Sequence, residues 1–295
     1  PLLGSLDTPG RAKKVVVSGS TAYVADGPGG LRIIDVSDPR NPVSLSSCLS
    51  AGGDAVDVVL DEDWAYVADR AGRIWAVDVT DPEEPHMYVT SPQGNEPSGL
   101  ALSGGHLYVA ADDGGLQVYG FVNRFPVREG GAESRDASDV VVTQSRAYVT
   151  DSQDGLLVFD VSDPEHPQRE SYFFPESVQA CGVANHGTVL SVTGPFGLLL
   201  YNHNEPYEPY PLFSAALPSP AYDSVIQGDD DYVYIADGVS GLNIFDKRNP
   251  LGIIGNFDAP GVACGVAVQG DYAYVAADNS GLLVLPAQCA SVTAF

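Results

Sequence analysis

Four apolar positions closed by an acid or a small residue recur along this chain. Ala22-Tyr-Val-Ala-Asp26 returns as 65–69, 107–111, 147–151, 233–237 and 273–277, with a degenerate copy at 189–193. Eight residues after each central position, a branched aliphatic opens a second apolar run: Leu31, Ile74, Leu116, Leu156, Leu198, Leu242 and Leu282. The intervals between these markers are 43, 42, 40, 42, 44 and 40 residues. Seven repeats of about 42 residues account for all 295 positions and leave no room for a second domain.

Each repeat holds four short strand candidates, seen clearly in Val56–Leu60, Trp64–Ala68, Ile74–Val79 and Met87–Thr90. Turn chemistry separates them. Asp26-Gly-Pro-Gly-Gly30 and Asp112-Asp-Gly-Gly115 offer glycines where a tight turn needs positive φ. The third strand ends in Asp35-Val-Ser-Asp-Pro39, Asp78-Val-Thr-Asp-Pro82 or Asp160-Val-Ser-Asp-Pro164, where Asp closes an Asx-turn and Pro stops the strand. Four strands per 42 residues is the period of a β-propeller blade, whereas the turns of a parallel β-helix are far shorter. The expected fold is all-β: one seven-bladed β-propeller of four-stranded antiparallel blades spanning residues 1–295. In the seventh repeat the fourth strand would fall at the chain's end. Residues 2–6 are therefore expected to complete that blade and close the ring, which removes open sheet edges.

Composition agrees with this reading. The chain has 32 Gly, 22 Pro and 15 Tyr but one Met, a turn-rich β composition. It carries 39 acidic and 14 basic side chains, a formal charge of −25. That field, with only three scattered lysines, argues against nucleic acid as a partner. No apolar run approaches the roughly 20 residues that span a bilayer. Many of the aspartates are turn residues; beyond that, an acidic and Lys-poor surface suits high salt or a calcium-rich exterior.

Leu31-Arg-Ile-Ile-Asp35 and Leu156-Leu-Val-Phe-Asp160, preceded by Tyr-Val-Ala/Thr-Asp and followed by Val-Ser-Asp-Pro, resemble the repeats of LVIVD-repeat proteins. The resemblance covers essentially the whole chain, with departures after the third strand of repeats 3, 5 and 7. It implies a propeller-like fold and an extracellular, cell-surface or periplasmic location, and it transfers no catalytic residue. The chain begins at Pro1 without Met, as a mature or trimmed product would.

In a propeller the first strand of each blade lines the central channel, and ligands of other propellers sit on the face that gathers the loops leading into it. Two columns of residues are expected there. One reads Lys14, Asp57, Gly99, Asp139, Gly182, Asp223, Gly265; the other reads Asp26, Asp69, Ala111, Asp151, Thr193, Asp237, Ala277. Blades 2, 4 and 6 carry Asp in both. Separations of 12 or 14 residues make Asp57 and Asp69, Asp139 and Asp151, and Asp223 and Asp237 candidate cross-strand neighbours. Opposed carboxylates repel unless a cation, a proton or backbone N–H groups intervene. One reading is a site for Ca²⁺, another divalent cation or an ammonium group, with these six Asp as ligands. The other, and commoner, use of repeated turn Asp is to accept backbone hydrogen bonds.

None of the five histidines falls on the expected channel mouth, so no imidazole base is available there. An aromatic set is expected on the same face: Tyr172, Phe173, Phe174, Phe196, Tyr222 and Phe257, either as a contact surface for protein or glycan or as lids over the sheet ends. The repeated tyrosines Tyr23, Tyr66, Tyr108, Tyr148, Tyr234 and Tyr274 form a strict column and are expected to pack between blades. Cys181 and Cys264 share a column two blades apart, too far for a disulfide, and Cys48 and Cys289 sit in unrelated loops.

The sequence thus points to an exported or cell-surface binding module using one propeller face, with cation dependence open. The alternatives are a metal-dependent lyase or hydrolase at the channel mouth, or a structural subunit of an extracellular assembly.

Overall fold

The computed structural model describes residues 2–48, 52–89, 95–173, 179–204, 210–227, 232–247 and 253–287. They form seven four-stranded antiparallel sheets and no helix. Blade 1 is β2 (Lys14–Ser18), β3 (Thr21–Ala25), β4 (Leu31–Asp35) and β5 (Val43–Cys48). Blade 2 is β6 (Ala55–Asp61), β7 (Trp64–Asp69), β8 (Arg73–Asp78) and β9 (His86–Val89). Blade 3 is β10 (Gly99–Ser103), β11 (His106–Ala110), β12 (Leu116–Val122) and β13 (Phe125–Ala132). Blade 4 is β14 (Ala137–Thr143), β15 (Arg146–Asp151), β16 (Gly155–Asp160) and β17 (Gln168–Phe173). Blade 5 is β18 (Gly182–His186), β19 (Val189–Gly194), β20 (Gly197–Asn202) and β21 (Tyr210–Ala215). Blade 6 is β22 (Asp223–Gln227), β23 (Tyr232–Ala236), β24 (Leu242–Asp246) and β25 (Ile253–Phe257).

Blade 7 takes β26 (Gly265–Gln269), β27 (Tyr272–Ala276) and β28 (Leu282–Pro286) from one part of the chain and β1 (Gly4–Leu6) from the other. β1 pairs antiparallel with β28 in the register Gly4–Val284, Ser5–Leu283 and Leu6–Leu282. The innermost strands of all seven neighbouring blades pack together, the seventh on the first included, so the ring is closed.

The near-continuous apolar runs of the second and third strands follow from burial on both faces. Tyr23, Ala25, Leu31 and Ile33 pack toward blade 2, while Ala22, Val24 and Ile34 pack toward blade 7. All seven marker aliphatics are essentially fully buried. The six repeated tyrosines are at most 5% exposed, and each packs with core residues of the following blade. Tyr66 Oη donates to the carbonyl of Arg124 at 3.0 Å and Tyr234 Oη to that of Ala287 at 2.5 Å, so these rings bond as well as fill space.

The Asp-Pro loops after the third strands have two jobs. Asp35, Asp78 and Asp160 each accept the backbone N–H two residues on, the Asx-turn their sequence announces. The prolines then lie against the outer strand of the preceding blade. Ser46 Oγ donates to the Pro82 carbonyl at 2.5 Å, and the Pro39 and Pro164 carbonyls lie close over Gly4 and Gly130. A Cβ on Gly130 would press into the backbone of Pro164 and Glu165. Gly130→Ala is accordingly expected to cost about 1–3 kcal/mol of unfolding free energy by forcing the blade 3–blade 4 seam apart, read as a lower urea midpoint at unchanged m-value.

Candidate functional site

The site begins with an edge. The first strand of each blade is paired on one side only, so its other side faces the channel with N–H groups needing acceptors. Asp57 supplies two oxygens to two blades: Oδ1 accepts the N–H of Val58 at 2.7 Å, and Oδ2 accepts that of Leu100 in blade 3 at 2.7 Å. Asp139 does the same with Val140 (2.8 Å) and with Val183 of blade 5 (2.9 Å). Asp223 bonds Ser224 and Val266 of blade 7, both at 2.9 Å. The intervening glycines complete the pattern. A Cβ on Gly99 would fall 2.6 Å from Asp139 Cα, and one on Gly265 would fall 2.6 Å from the Lys13 carbonyl oxygen. Asp on even blades reaches forward to the next blade, and Gly on odd blades lets the blade after it come close. That is the physical content of the Asp/Gly alternation.

Lys14, in blade 1, completes the column. Its Nζ lies 2.9 Å from Asp223 Oδ1, with 26% of its side chain open to the channel. Burial opposes its charge, yet the fields of Asp223, Asp139 and Asp57 outweigh burial and hold its pKa above the ordinary lysine range. Burial pushes Asp57 up to about 7; the Asp139 charge adds to this, against the pull of Lys14 and the two N–H bonds. Burial likewise raises Asp139 to about 6, with Asp223 adding to it.

The second Asp column faces elsewhere. The pairing puts Asp57 opposite Ala68, Asp139 opposite Thr150 and Asp223 opposite Ala236, which corrects the expected cross-strand Asp pairs. The reason is arithmetic. Where a two-residue turn joins the strands, as in blade 2, paired positions differ by an odd number, so residues 12 apart lie on opposite pleats unless a bulge intervenes. Asp69 accepts the N–H groups of Asp54 and Ala71 and the Trp75 indole. Asp151 is held below the usual carboxylate range although burial alone would raise it, because N–H groups of Asp136, Asp154 and Gln153 outweigh burial. Asp237 takes the Asn243 amide at 2.6 Å and is raised by burial to about 6. Asp26 takes Thr8 and Arg32. A donor six residues after the Asp (Arg32, Trp75, Asn243) serves three blades. In blade 3 the Asp is replaced by Ala111, and Gln117 Nε2 is buried without a partner among the described residues.

Among the described residues no group of three or more His, Cys, Asp or Glu is arranged to hold a metal ion. Both oxygens of Asp57 and of Asp139 are taken by backbone N–H groups, and those of Asp223 by N–H groups and Lys14. Each of these oxygens keeps a further lone pair, as Asp223 Oδ1 shows by accepting both the Ser224 N–H and Lys14 Nζ.

Above this layer the channel opens into a cavity of about 570 Å³. One side chain per blade, each just before the Lys14/Asp57 column, lines it: Lys13, Val56, Ser98, Ser138, Cys181, Tyr222 and Cys264. Arg11, Asp54, Arg70, Asp112, Asp136, Val262 and Asp278 form the rest of the wall. Sequence reasoning placed Tyr222 there but missed the charged residues, which come from loops with no repeated residue type. A second, acidic depression of about 510 Å³ adjoins it between blades 3 and 4.

The aromatic set divides. Tyr222 is 43% exposed at the mouth. Phe196 packs on the blade 4–blade 5 core and Phe257 on the blade 6–blade 7 core, both as lids. Phe174 and the side chains of Tyr172 and Phe173 lie outside the described residues, as does Cys289. No histidine lines the cavity: His106 pairs with Glu129, His166 with Asp163, and His203 is buried against Asn185, its pKa lowered by burial. Cys48, Cys181 and Cys264 are free thiols.

Two outcomes follow for the channel cluster. Lys14→Met strands three buried carboxylates and is expected to lower stability by about 3 kcal/mol near pH 8, and by less near pH 5, in urea titrations. Asp57 titrates near 3.8 when unfolded and near 7 when folded, so the native state holds the extra proton between those values. Its contribution to stability therefore falls as pH rises through that window, whereas Lys14, raised, contributes fully everywhere below its ordinary 10.5. Wild type should lose stability relative to Asp57→Asn between about pH 5 and pH 8, by more than the roughly 1.4 kcal/mol of a single pK unit. Parallel curves would contradict this.

Comparison with known proteins agrees with the geometry. No curated protein matches the chain. Among solved structures, the computationally designed Ika8 protein superimposes with a TM-score of 0.67 at 10% identity, covering 97% of this chain and 99% of that one, a likeness of fold alone. The model of the LVIVD repeat matches residues 9–50, 52–90, 96–118, 134–171, 224–251 and 260–285. The matches in blades 3 and 7 stop near their third strands, and blade 5, where Leu190 replaces the column tyrosine, has none. With more than half its length matched, this chain belongs to the LVIVD-repeat family.

Proposed function

We propose that this chain is an exported or cell-surface binding module that takes its ligand at the channel mouth. One observation carries the reading. Two residues before the Lys14/Asp57 column, the buried seam reads Ala12, Ala55, Pro97, Ala137, Ala180, Ala221 and Ala263, nearly uniform. The column itself is Asp or Gly in six of seven blades. Between these two constrained layers, the position facing the cavity carries Lys, Val, Ser, Ser, Cys, Tyr and Cys. Varied side chains on a rigid frame, converging on one concavity, are the arrangement of a recognition site.

Membership of the LVIVD-repeat family supports an extracellular or surface location, and no helix among the described residues is long and apolar enough to cross a membrane. A lyase or hydrolase at the mouth is less well supported. The channel carboxylates with raised pKa, Asp57 and Asp139, lie below the cavity and are not among the residues lining it, whereas a proton-transfer group must be within reach of substrate. Protein and glycan remain the macromolecular partner classes that suit such a face.

A protein-observed NMR fragment screen on isotope-labelled protein tests this. Hits should perturb the amides of Val56, Ser98, Ser138, Cys181 and Tyr222, and Ser138→Trp, which fills the cavity without touching the seam, should abolish them. Hits confined to the outer strands, or unaffected by Ser138→Trp, would contradict the proposal.

A further inference from the structure

We infer that the mouth cavity takes a small zwitterionic ligand, a short peptide with free termini, whose carboxylate sits on Arg11 and Arg70 and whose ammonium faces Asp112 and Asp136. This rests on the binding reading above and gives it a ligand class.

The first observation is a charge mismatch. With 39 acidic side chains against 14 basic ones, cations here have an excess of partners. Lys13, Lys14, Arg32, Arg124, Arg135, Arg146 and Arg169 all take one. Arg11 and Arg70 form no side-chain hydrogen bond or ion pair among the described residues, although both belong to the wall of one cavity. Arg40, on an exposed Asp-Pro loop away from the cavity, also lacks a side-chain partner among the described residues. Arg11 and Arg70 differ from it in lining one concavity, where two guanidinium groups are donors available to a carboxylate, the group their planar fork fits.

Their backbones are fixed. The Arg11 N–H donates to the Asp26 carbonyl at 3.0 Å and the Arg70 N–H to the Asp54 carbonyl at 3.1 Å. The two loops are tied by reciprocal bonds between Gly27 and Ala55, both 2.9 Å. At Gly27, the place a Cβ would take lies 3.3 Å from Arg11 Cβ and 3.1 Å from Asp54 Oδ1, so the blade 1 and blade 2 loops form one wall.

The second observation is the opposite sign on blades 3 and 4. Asp112 accepts Ser98 Oγ at 2.6 Å through Oδ1, and Asp136 accepts Ser152 Oγ through Oδ2; the second oxygen of each has no protein donor among the described residues. The Asp112–Ala137 bridge joins these two loops as Gly27–Ala55 joins the others. The remaining wall charges are Asp54 and the Lys13–Asp278 pair at 3.1 Å.

Net charge then selects the ligand. A simple anion has to approach a molecule of formal charge −25, and a simple cation leaves the two arginines unmatched. A ligand of zero net charge with separated poles meets both walls. The 570 Å³ volume is within the range of small-ligand sites, and Tyr222 with Val56 and Val262 offers apolar contact to a side chain between the termini.

Calorimetry with trialanine and its capped forms tests the inference on the full chain at low salt. Free trialanine should bind, and amidating the C-terminus or acetylating the N-terminus should each weaken binding by about tenfold. In the Arg11→Gln/Arg70→Gln variant the penalty for C-terminal amidation should vanish. In Asp112→Asn, which keeps the Ser98 bond, the penalty for N-terminal acetylation should shrink. Melting curves of both variants check that they are folded. Equal affinity for free and doubly capped peptide, capping penalties unchanged by the variants, or no heat at about 10 mM ligand would overturn the inference. If the peptides fail while fragments still bind at the mouth, only the ligand class falls; if the fragments also bind elsewhere, the binding reading falls with it.

Discussion

A ring of sheets has one unavoidable weakness: the innermost strand of every blade turns an unpaired edge toward the channel. Closing the ring brings these edges together but does not hydrogen-bond them, because neighbouring blades meet face to face. The carboxylates of Asp57, Asp139 and Asp223 answer that constraint. Each spans the seam to the following blade, accepting one N–H from its own strand and one from the next. The odd blades then need a residue that lets the following backbone approach, and Gly99, Gly182 and Gly265 provide it. Three buried negative charges would repel one another without Lys14, the single cation of the column. Blade pairing, the glycine positions and the lysine all descend from the unsatisfied edge.

The same layer makes a function possible. With the edges bonded from within, the residues just above them are relieved of structural duty. Lys13, Val56, Ser98, Ser138, Cys181, Tyr222 and Cys264 can differ freely because the alanine seam below and the loops around them carry the geometry. Propellers on which unrelated ligands bind share this division between a repeated frame and a variable mouth. The loops around it form a bipolar wall, with Arg11 and Arg70, unpaired among the described residues, on one side and Asp112 and Asp136 on the other.

How much of this is legible in the chain depends on what repeats. The blade count, the strand order and the closing role of residues 2–6 follow from marker residues that recur at nearly constant intervals, because each blade solves the same packing problem. The tyrosine column could be assigned to blade seams for the same reason. Register was harder. The Asp57–Asp69, Asp139–Asp151 and Asp223–Asp237 separations looked like cross-strand pairs, and only the parity imposed by the hairpin turn, modified by bulges near Ala55 and Ala137, shows that they are not. The donors Arg32, Trp75 and Asn243 were hidden because they share a position and no side-chain chemistry. Arg11 and Arg70 were hidden more deeply: what distinguishes them is that both line one cavity without a side-chain partner among the described residues, which appears only when the loops are placed in space.

Amide hydrogen exchange at Leu100, Val183 and Val266 tests the account most directly. These three N–H groups belong to channel edges and would exchange rapidly if open to channel water. The account predicts protection close to that of the central strands, insensitive to EDTA or added Ca²⁺, and lost selectively at Leu100 in Asp57→Ala, at Val183 in Asp139→Ala and at Val266 in Asp223→Ala. Fast exchange at these amides in the wild-type protein, or protection that appears only with a divalent cation, would contradict it and return the three carboxylates to the role of metal ligands.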